Sequence, residues 1–77
     1  MEIKYRKMNN GMEFMKIING ERAVAVFTSK FGSRIQATFN HVMVDSYNDE
    51  HVSGESNEDE FNAAFKKAID DIDSKMK

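Results

Sequence analysis

Apolar and polar residues alternate through most of the first half of the chain, a pattern typical of strands in a half-buried β-sheet. The dipeptides Asn10-Gly11 and Asn19-Gly20 interrupt the alternation, and Asn-Gly is a strong signal for a β-hairpin. A third turn is expected around Phe31-Gly32. Because short connections join neighbouring strands, the pattern predicts a four-stranded antiparallel meander. Its strands are expected over residues 2–8, 12–18, 21–29 and 33–44.

The hydrophobic period changes towards the C-terminus, where apolar residues recur every three or four positions, as on one side of an amphipathic helix. These residues are Phe61, Ala64, Phe65, Ala68, Ile69, Ile72 and Met76. Ser56 or Asn57 can serve as the N-cap, and Asn57 followed by Glu60 resembles a capping box, which predicts a helix over about 57–75. Segment 45–56 is polar, contains a glycine and is predicted to be a loop. The expected fold is α+β: one domain over residues 1–77, with the helix packed on one face of the sheet.

The turn lengths decide which side chains share a face, because a one-residue slip turns every side chain of a strand over. We expect a three-residue loop ending at Gly11 and two-residue turns at the other two positions. One face is then almost wholly apolar and should lie under the helix: Ile3, Tyr5, Met15, Ile17, Val24, Val26, Ile35, Ala37 and Phe39. The opposite face is expected to be open, with Lys4, Arg6, Phe14, Lys16, Ala23, Ala25, Phe27, Arg34, Gln36 and Thr38.

Cysteine is absent, and no apolar run approaches the ~20 residues that a membrane-spanning helix needs. These features argue against disulfide scaffolds, thiol nucleophiles and most small zinc domains, and they predict a cytoplasmic protein without a membrane partner. No phosphate-binding loop, dinucleotide fingerprint or HExxH sequence occurs. The spacing of carboxylates around His51 matches no calcium loop, and no nucleophile accompanies His41. We therefore expect no enzymatic activity, no cofactor and no metal site.

The net charge of −2 conceals an uneven distribution, since residues 1–42 are predominantly basic and residues 43–77 predominantly acidic. Seven carboxylates follow one another without a basic residue between them: Asp45, Asp49, Glu50, Glu55, Glu58, Asp59 and Glu60. Such a segment could imitate a phosphate backbone and occupy a basic groove on a host protein. The alternative is a solvated loop whose last acidic residues stabilise the N-terminus of the helix.

Cations surround two phenylalanines on the predicted open face of the sheet, which makes a second candidate surface. Its residues are Lys4, Arg6, Phe14, Lys16, Phe27, Arg34 and Gln36. Single-stranded nucleic acids are bound by cations that contact phosphates and by aromatic rings that stack on bases. The same patch would equally suit a protein partner or a homodimer. In the remaining interpretation, the phenylalanines pack against neighbours and the lysines keep the sheet edges soluble.

The helix sequence Glu-Phe-Asn-Ala-Ala-Phe-Lys-Lys-Ala-Ile-Asp-Asp-Ile closes a short, cysteine-free chain that is acidic at one end. In this general character the chain resembles small phage-encoded accessory proteins, among them several anti-CRISPR proteins. The resemblance implies a stoichiometric inhibitor or adaptor that occupies a host protein, and it assigns no role to any residue. Two hypotheses follow: a protein-binding module that uses the acidic surface, or a single-stranded nucleic-acid-binding protein that uses the open sheet face.

Overall fold

A computed structural model describes residues 1–76 and contains one antiparallel sheet and two helices. The elements, in chain order, are β1 (Ile3–Met8), β2 (Glu13–Ile18), β3 (Arg22–Ser29), β4 (Gly32–Thr38), α1 (His41–Tyr47), β5 (Ser53–Glu55) and α2 (Glu58–Lys75). The strand order is β4-β3-β2-β1-β5. The α+β fold with a C-terminal helix is thus confirmed, and the sheet has one strand more than the sequence predicts.

The first two turns contain residues with positive φ angles, a backbone conformation that most residues avoid. Gly11, Asn19 and Gly20 all have positive φ angles, of 74°, 54° and 67°, in the left-handed region that glycine and asparagine tolerate best. Two of the connections are one residue longer than expected: residues 9–12 join β1 to β2, and residues 19–21 join β2 to β3. The last turn consists of residues 30–31, because Ser29 pairs with Gly32.

Because of the two longer connections, the side chains of β2 point to the opposite faces from those predicted, so the predicted register is wrong for this strand. Met15 pairs with Arg6 on one side and with Ala25 on the other, so it lies on the opposite face from Tyr5 and Val24. Ile17 follows Met15, whereas Phe14 joins Tyr5. Because the two slips cancel, β1, β3 and β4 keep the faces that the sequence predicts.

The sheet is covered on both faces, so it has no open side. On one face, α2 packs against a cluster formed by Tyr5, Phe14, Val24, Val26 and Ile35. On the other face, α1 covers Met15, Ile17, Ala23 and Ala25. The two alanines are small, which leaves room for a helix to approach the strands closely.

Helix α1 replaces the end of the predicted fourth strand and the start of the predicted loop. Strand β4 ends at Thr38, and the Asn40 side chain then accepts hydrogen bonds from the amides of Val42 and Met43, which is the geometry of an N-cap. Val44 and Tyr47 are buried one turn apart against the sheet. Phe39, predicted to lie in the core, is 76% exposed because it follows the strand rather than continuing it.

Strand β5 lies within the segment that the sequence predicts to be a loop, and it pairs with β1 from Arg6 to Met8. Helix α2 then begins after Asn57, whose side-chain oxygen accepts the Glu60 amide at 2.9 Å, as the capping-box pattern predicts. Phe61 and Ala68 form its buried stripe. Within residues 1–76, neither helix has the length and apolar character needed to cross a lipid bilayer.

Candidate functional site

A cleft of about 720 Å³ lies beside the edge formed by β1 and β5. Five of its lining residues are charged, two of them basic and three acidic. Strand β1, β5, the loop after α1 and the start of α2 all contribute to its wall. The lining residues are Ile3, Lys4, Tyr5, Arg6, Asn48, Glu50, Glu55, Ser56, Asn57 and Glu58.

Arg6 lines this cleft and is anchored from behind by Ser53. The Arg6 guanidinium donates to the Ser53 hydroxyl at 3.0 and 3.2 Å and to the Ser53 carbonyl at 3.1 Å. The same hydroxyl donates to the carbonyl of Tyr47 at the end of α1. Ser53 is 2% exposed, so this network fixes β5 and α1 to β1 and sets the position of Glu55 opposite Arg6.

Three carboxylates of the predicted acidic surface meet at the cleft, and each comes from a different element. Glu50 lies in the loop after α1, Glu55 at the end of β5 and Glu58 in the first turn of α2. All three are exposed. Within residues 1–76, no Lys, Arg or His nitrogen lies within 4.0 Å of their oxygens. The fold therefore concentrates part of the acidic segment at one place, where none of the three carboxylates forms an ion pair although Lys4 and Arg6 line the same cleft.

The other four acidic residues of the predicted surface lie around the cleft or have structural roles. Asp45 is exposed on α1, and Asp59 is exposed on the first turn of α2. The Asp49 carboxylate accepts the His51 amide at 2.8 Å and so shapes the loop. Glu60 differs from the rest, because it forms an ion pair with Lys7 at 3.2 Å and accepts the Ser56 hydroxyl at 3.0 Å.

The predicted nucleic-acid surface does not exist as one face. Phe14 and Lys16 lie on the α2 side, whereas Phe27, Arg34 and Gln36 lie on the α1 side with Lys4 and Arg6. Helix α1 covers the middle of the latter face. The Arg34 guanidinium lies 5.5 Å from the centroid of the Phe27 ring, which occupies that aromatic face with a cation from the chain itself.

Sequence reasoning places Lys4 and Arg6 on a surface separate from the acidic segment, but the structure brings both to the acidic cleft. This proximity depends on β5 pairing with β1, and three residues, Ser-Gly-Glu, carry no periodic signal that predicts it. Both histidines are exposed. In the described part of the chain, no cluster of three or more His, Asp or Glu side chains is arranged to hold a metal ion.

Two glutamates on opposite faces have pKa values shifted in opposite directions. Burial raises the pKa of the Glu13 carboxyl, and nearby Arg34 only partly opposes that rise. For Glu60, the hydrogen bond from Lys7 lowers the pKa, and the bond from Ser56 adds to this effect. Glu13 therefore costs stability once it ionises, above the ordinary pKa of about 4.3. Glu60 contributes stability above that pH and loses it as the pH falls through its lowered pKa.

The substitutions Glu13→Gln and Glu60→Gln should consequently change the Tm in opposite directions at pH 7. We expect Glu13→Gln to raise the Tm slightly, by about 1–2 °C because the side chain is partly solvated, and Glu60→Gln to lower it. Thermal denaturation followed by circular dichroism at pH 7 and pH 3 measures both effects. The two differences from the unmodified chain should shrink at pH 3. Shifts of the same sign at pH 7 would show that the two environments are assigned wrongly.

Comparisons of the chain with protein-family models, with curated proteins and with solved structures find no match. The function has to be inferred from the geometry of the surface itself.

Proposed function

We propose that the protein is a small, non-enzymatic binding module of the cytoplasm whose acidic cleft occupies a basic surface on another protein. The carboxylates of Glu50, Glu55 and Glu58 form no ion pair within residues 1–76 and are held around one cleft by three different elements, which supports this proposal. Carboxylates that remain solvated and unpaired in the free protein suit pairing with Lys or Arg side chains of a partner.

The rigidity of the cleft also supports a role in binding. Glu55 is held by the β1–β5 pairing, and Glu58 by the capped start of α2. A backbone that is already fixed loses little loop entropy when a partner binds, and such preorganisation favours affinity. Electrostatic attraction would also speed the encounter with a positively charged partner.

A partner that handles nucleic acid would present such a basic surface, because its groove is built to hold phosphates. Together with the resemblance to small phage-encoded proteins, this favours an inhibitor or modulator of a host nucleic-acid-handling or defence protein. Direct binding of single strands is the weaker alternative. Its seven residues are divided between two faces, and a helix packs on each of them.

Neutralising the cleft tests the proposal. The triple variant Glu50→Gln, Glu55→Gln, Glu58→Gln should lose capture of its partner by at least tenfold, since three ion pairs or charge-assisted hydrogen bonds are removed together. The tagged chain serves as bait in a nuclease-treated bacterial lysate, and captured proteins are quantified by mass spectrometry. Thermal denaturation should show the variant folded, because none of the three side chains is buried.

A matched control removes the same charge from elsewhere on the surface. Glu21→Gln, Asp70→Asn and Asp73→Asn replace three exposed carboxylates that do not line the cleft. We expect this variant to capture the same protein as the unmodified chain. Equal loss in both variants would indicate a response to net charge alone, and retained capture by the cleft variant would contradict the proposal. A labelled oligothymidine, titrated at low salt, should show no binding to any of the three proteins.

A further inference from the structure

Strand β4 forms one edge of the sheet, and a row of its backbone groups points away from the protein. The Thr28 amide donates to the Met12 carbonyl, so the even-numbered residues of β3 bond towards β2 and the odd-numbered ones towards β4. The odd-numbered residues of β3 pair with even-numbered residues of β4. The amides and carbonyls of Ser33, Ile35 and Ala37 consequently face outwards. Within residues 1–76, no backbone group of another element bonds to these outward-facing amides and carbonyls.

The two edges of the sheet differ in how well they are protected against pairing with another strand. The β5 edge is only three residues long and ends at Glu55. The β4 edge is seven residues long, contains no proline, and carries Arg34 as its single charged residue. Short length and charge are the usual ways in which natural sheets prevent edge-to-edge association. The β4 edge is longer, and the charges near it include Lys30 in the preceding turn, Arg34 in the strand and Asp71 of α2, which accepts the Ser33 hydroxyl.

Two exposed phenylalanines flank this edge. Phe31 precedes β4 and is 86% exposed, and Phe39 follows it and is 76% exposed. The two residues lie at equal distances along the chain from Ile35, one on each side. In an antiparallel pairing centred on Ile35, the turn that carries Phe31 of one copy would lie beside the end of β4, and so near Phe39, of the second copy.

We propose that β4 pairs with β4 of a second copy of this chain, antiparallel and with the two-fold axis at Ile35. In this register Ser33 faces Ala37 of the second copy and Ile35 faces its own equivalent. All three outward-facing residues of each strand are then hydrogen bonded, and the two sheets join into one of ten strands.

Charge favours this register over its neighbours. Arg34 lies opposite Gln36 of the second copy, so the identical cations are not directly paired. A shift that centres the axis on Arg34 would place the two guanidinium groups opposite each other, which is destabilising. A shift to Gln36 would separate the phenylalanines and leave fewer outward groups bonded. An unrelated extended peptide could use the same backbone groups, but the symmetric placement of Phe31 and Phe39 has a counterpart only in a second copy.

The size of the contact suggests a moderate affinity. Four largely exposed phenylalanines offer roughly 600 Å² of apolar surface between them, and the paired strands add backbone area. The total approaches the lower end of the ~1,200–2,000 Å² range of specific interfaces. We therefore expect a monomer–dimer equilibrium rather than a permanent dimer. This surface lies at the opposite edge from the acidic cleft, so its test is independent of the proposed partner binding.

Site-specific cross-linking tests the register. Because the chain has no cysteine of its own, only the introduced cysteines can form disulfides. Positions 34 and 36 would form a non-hydrogen-bonded pair with Cα atoms about 4.5 Å apart, within the range of a disulfide. Arg34→Cys and Gln36→Cys are prepared separately, one with a larger tag, and mixed with oxidised glutathione. The mixed disulfide should form at least tenfold faster than either homodimer, whose equivalent positions would lie about 7–8 Å apart diagonally.

Sedimentation of the unmodified chain gives a second measurement. The mass should rise from the 8.9 kDa monomer towards twice that value as concentration increases. Ala37→Pro, which removes one outward-facing amide at an exposed edge position, should shift this transition to at least tenfold higher concentration. Phe31→Ser, in an exposed turn, should do the same without altering the strand. A monomer at every concentration, dimerisation unchanged by both substitutions, or preferential homodimer disulfides would overturn the proposal.

Discussion

Substitution of Val44 by aspartate should unfold the protein, whereas the same substitution at Val42 should leave it folded. Both residues belong to α1. Val44 faces the sheet and has no exposed surface, whereas Val42 is 65% exposed. An unpaired carboxylate at the buried position would cost about 3–5 kcal/mol, which is comparable with the whole stability of a small domain. At position 42 the charge lies in the first turn of the helix, where the macrodipole favours it.

Far-UV circular dichroism and thermal denaturation of the two variants provide the measurement. Val44→Asp should show no cooperative transition at 25 °C and above, and Val42→Asp should melt within a few degrees of the unmodified chain. The comparison addresses the cover on the second face of the sheet directly. If residues 41–44 continued β4 instead, positions 42 and 44 would lie on the same face of the strand and would respond alike. Similar behaviour of both variants would therefore refute the α1 assignment.

Replacing Phe61 by alanine should have the next largest effect. Its ring lies 5.8 Å from the Tyr5 ring and 6.1 Å from the Phe65 ring, measured between centroids, and the residue is 5% exposed. Removing a buried phenylalanine typically costs about 3–5 kcal/mol, partly through the cavity that remains. For a domain of this size the Tm should fall by at least about 15 °C.

Phe65→Ala is the control, because Phe65 belongs to the same stripe of α2 but is 37% exposed. Its loss should cost about two-thirds as much, because less of its apolar area is buried in the folded protein. Chemical denaturation with urea would measure both free energies of unfolding. Equal costs for the two substitutions would mean that α2 is rotated on the sheet relative to the packing described above.

Local signals were sufficient for the parts of the fold that depend on neighbouring residues. The stripe from Phe61 to Ile72 and the pair Asn57 and Glu60 predict α2 and its start correctly, because helix periodicity and capping are encoded within a few turns. The Asn-Gly dipeptides predict the first two hairpins and the left-handed conformation of Gly11.

The orientation of β2 was predicted wrongly because turn length is set by tertiary packing. The predicted faces put Arg6 and Met15 on opposite sides of the sheet, yet the two residues pair directly. The guanidinium reaches the hydroxyl and carbonyl of Ser53 at the rim of the sheet, so it needs no place among the apolar side chains. Ser53 is 47 residues away in sequence, and no local pattern connects the two.

Helix α1 and β5 were missed for related reasons. The residues Val42, Met43 and Val44 are compatible with a strand, and only Asn40 marks the change to a helix. Strand β5 has no hydrophobic pattern, and its conformation follows from hydrogen bonds with β1. The candidate cleft could not be predicted either, because β5 and the loop after α1 form part of its wall. The acidic residues could be identified from composition, but their arrangement beside Lys4 and Arg6 requires the long-range pairing.

The connection between β4 and β5 runs from one edge of the sheet to the other, and α1 is its middle part. The chain therefore crosses the sheet as a strap that is fastened by Val44 and Tyr47 in the centre and by Ser53 at the far end. If α1 detached from the sheet, β5 would be held mainly by its pairing with β1, and the acidic cleft would lose its fixed geometry. A molecule that binds the cleft would therefore also stabilise α1 on the sheet and suppress local opening of the core between them.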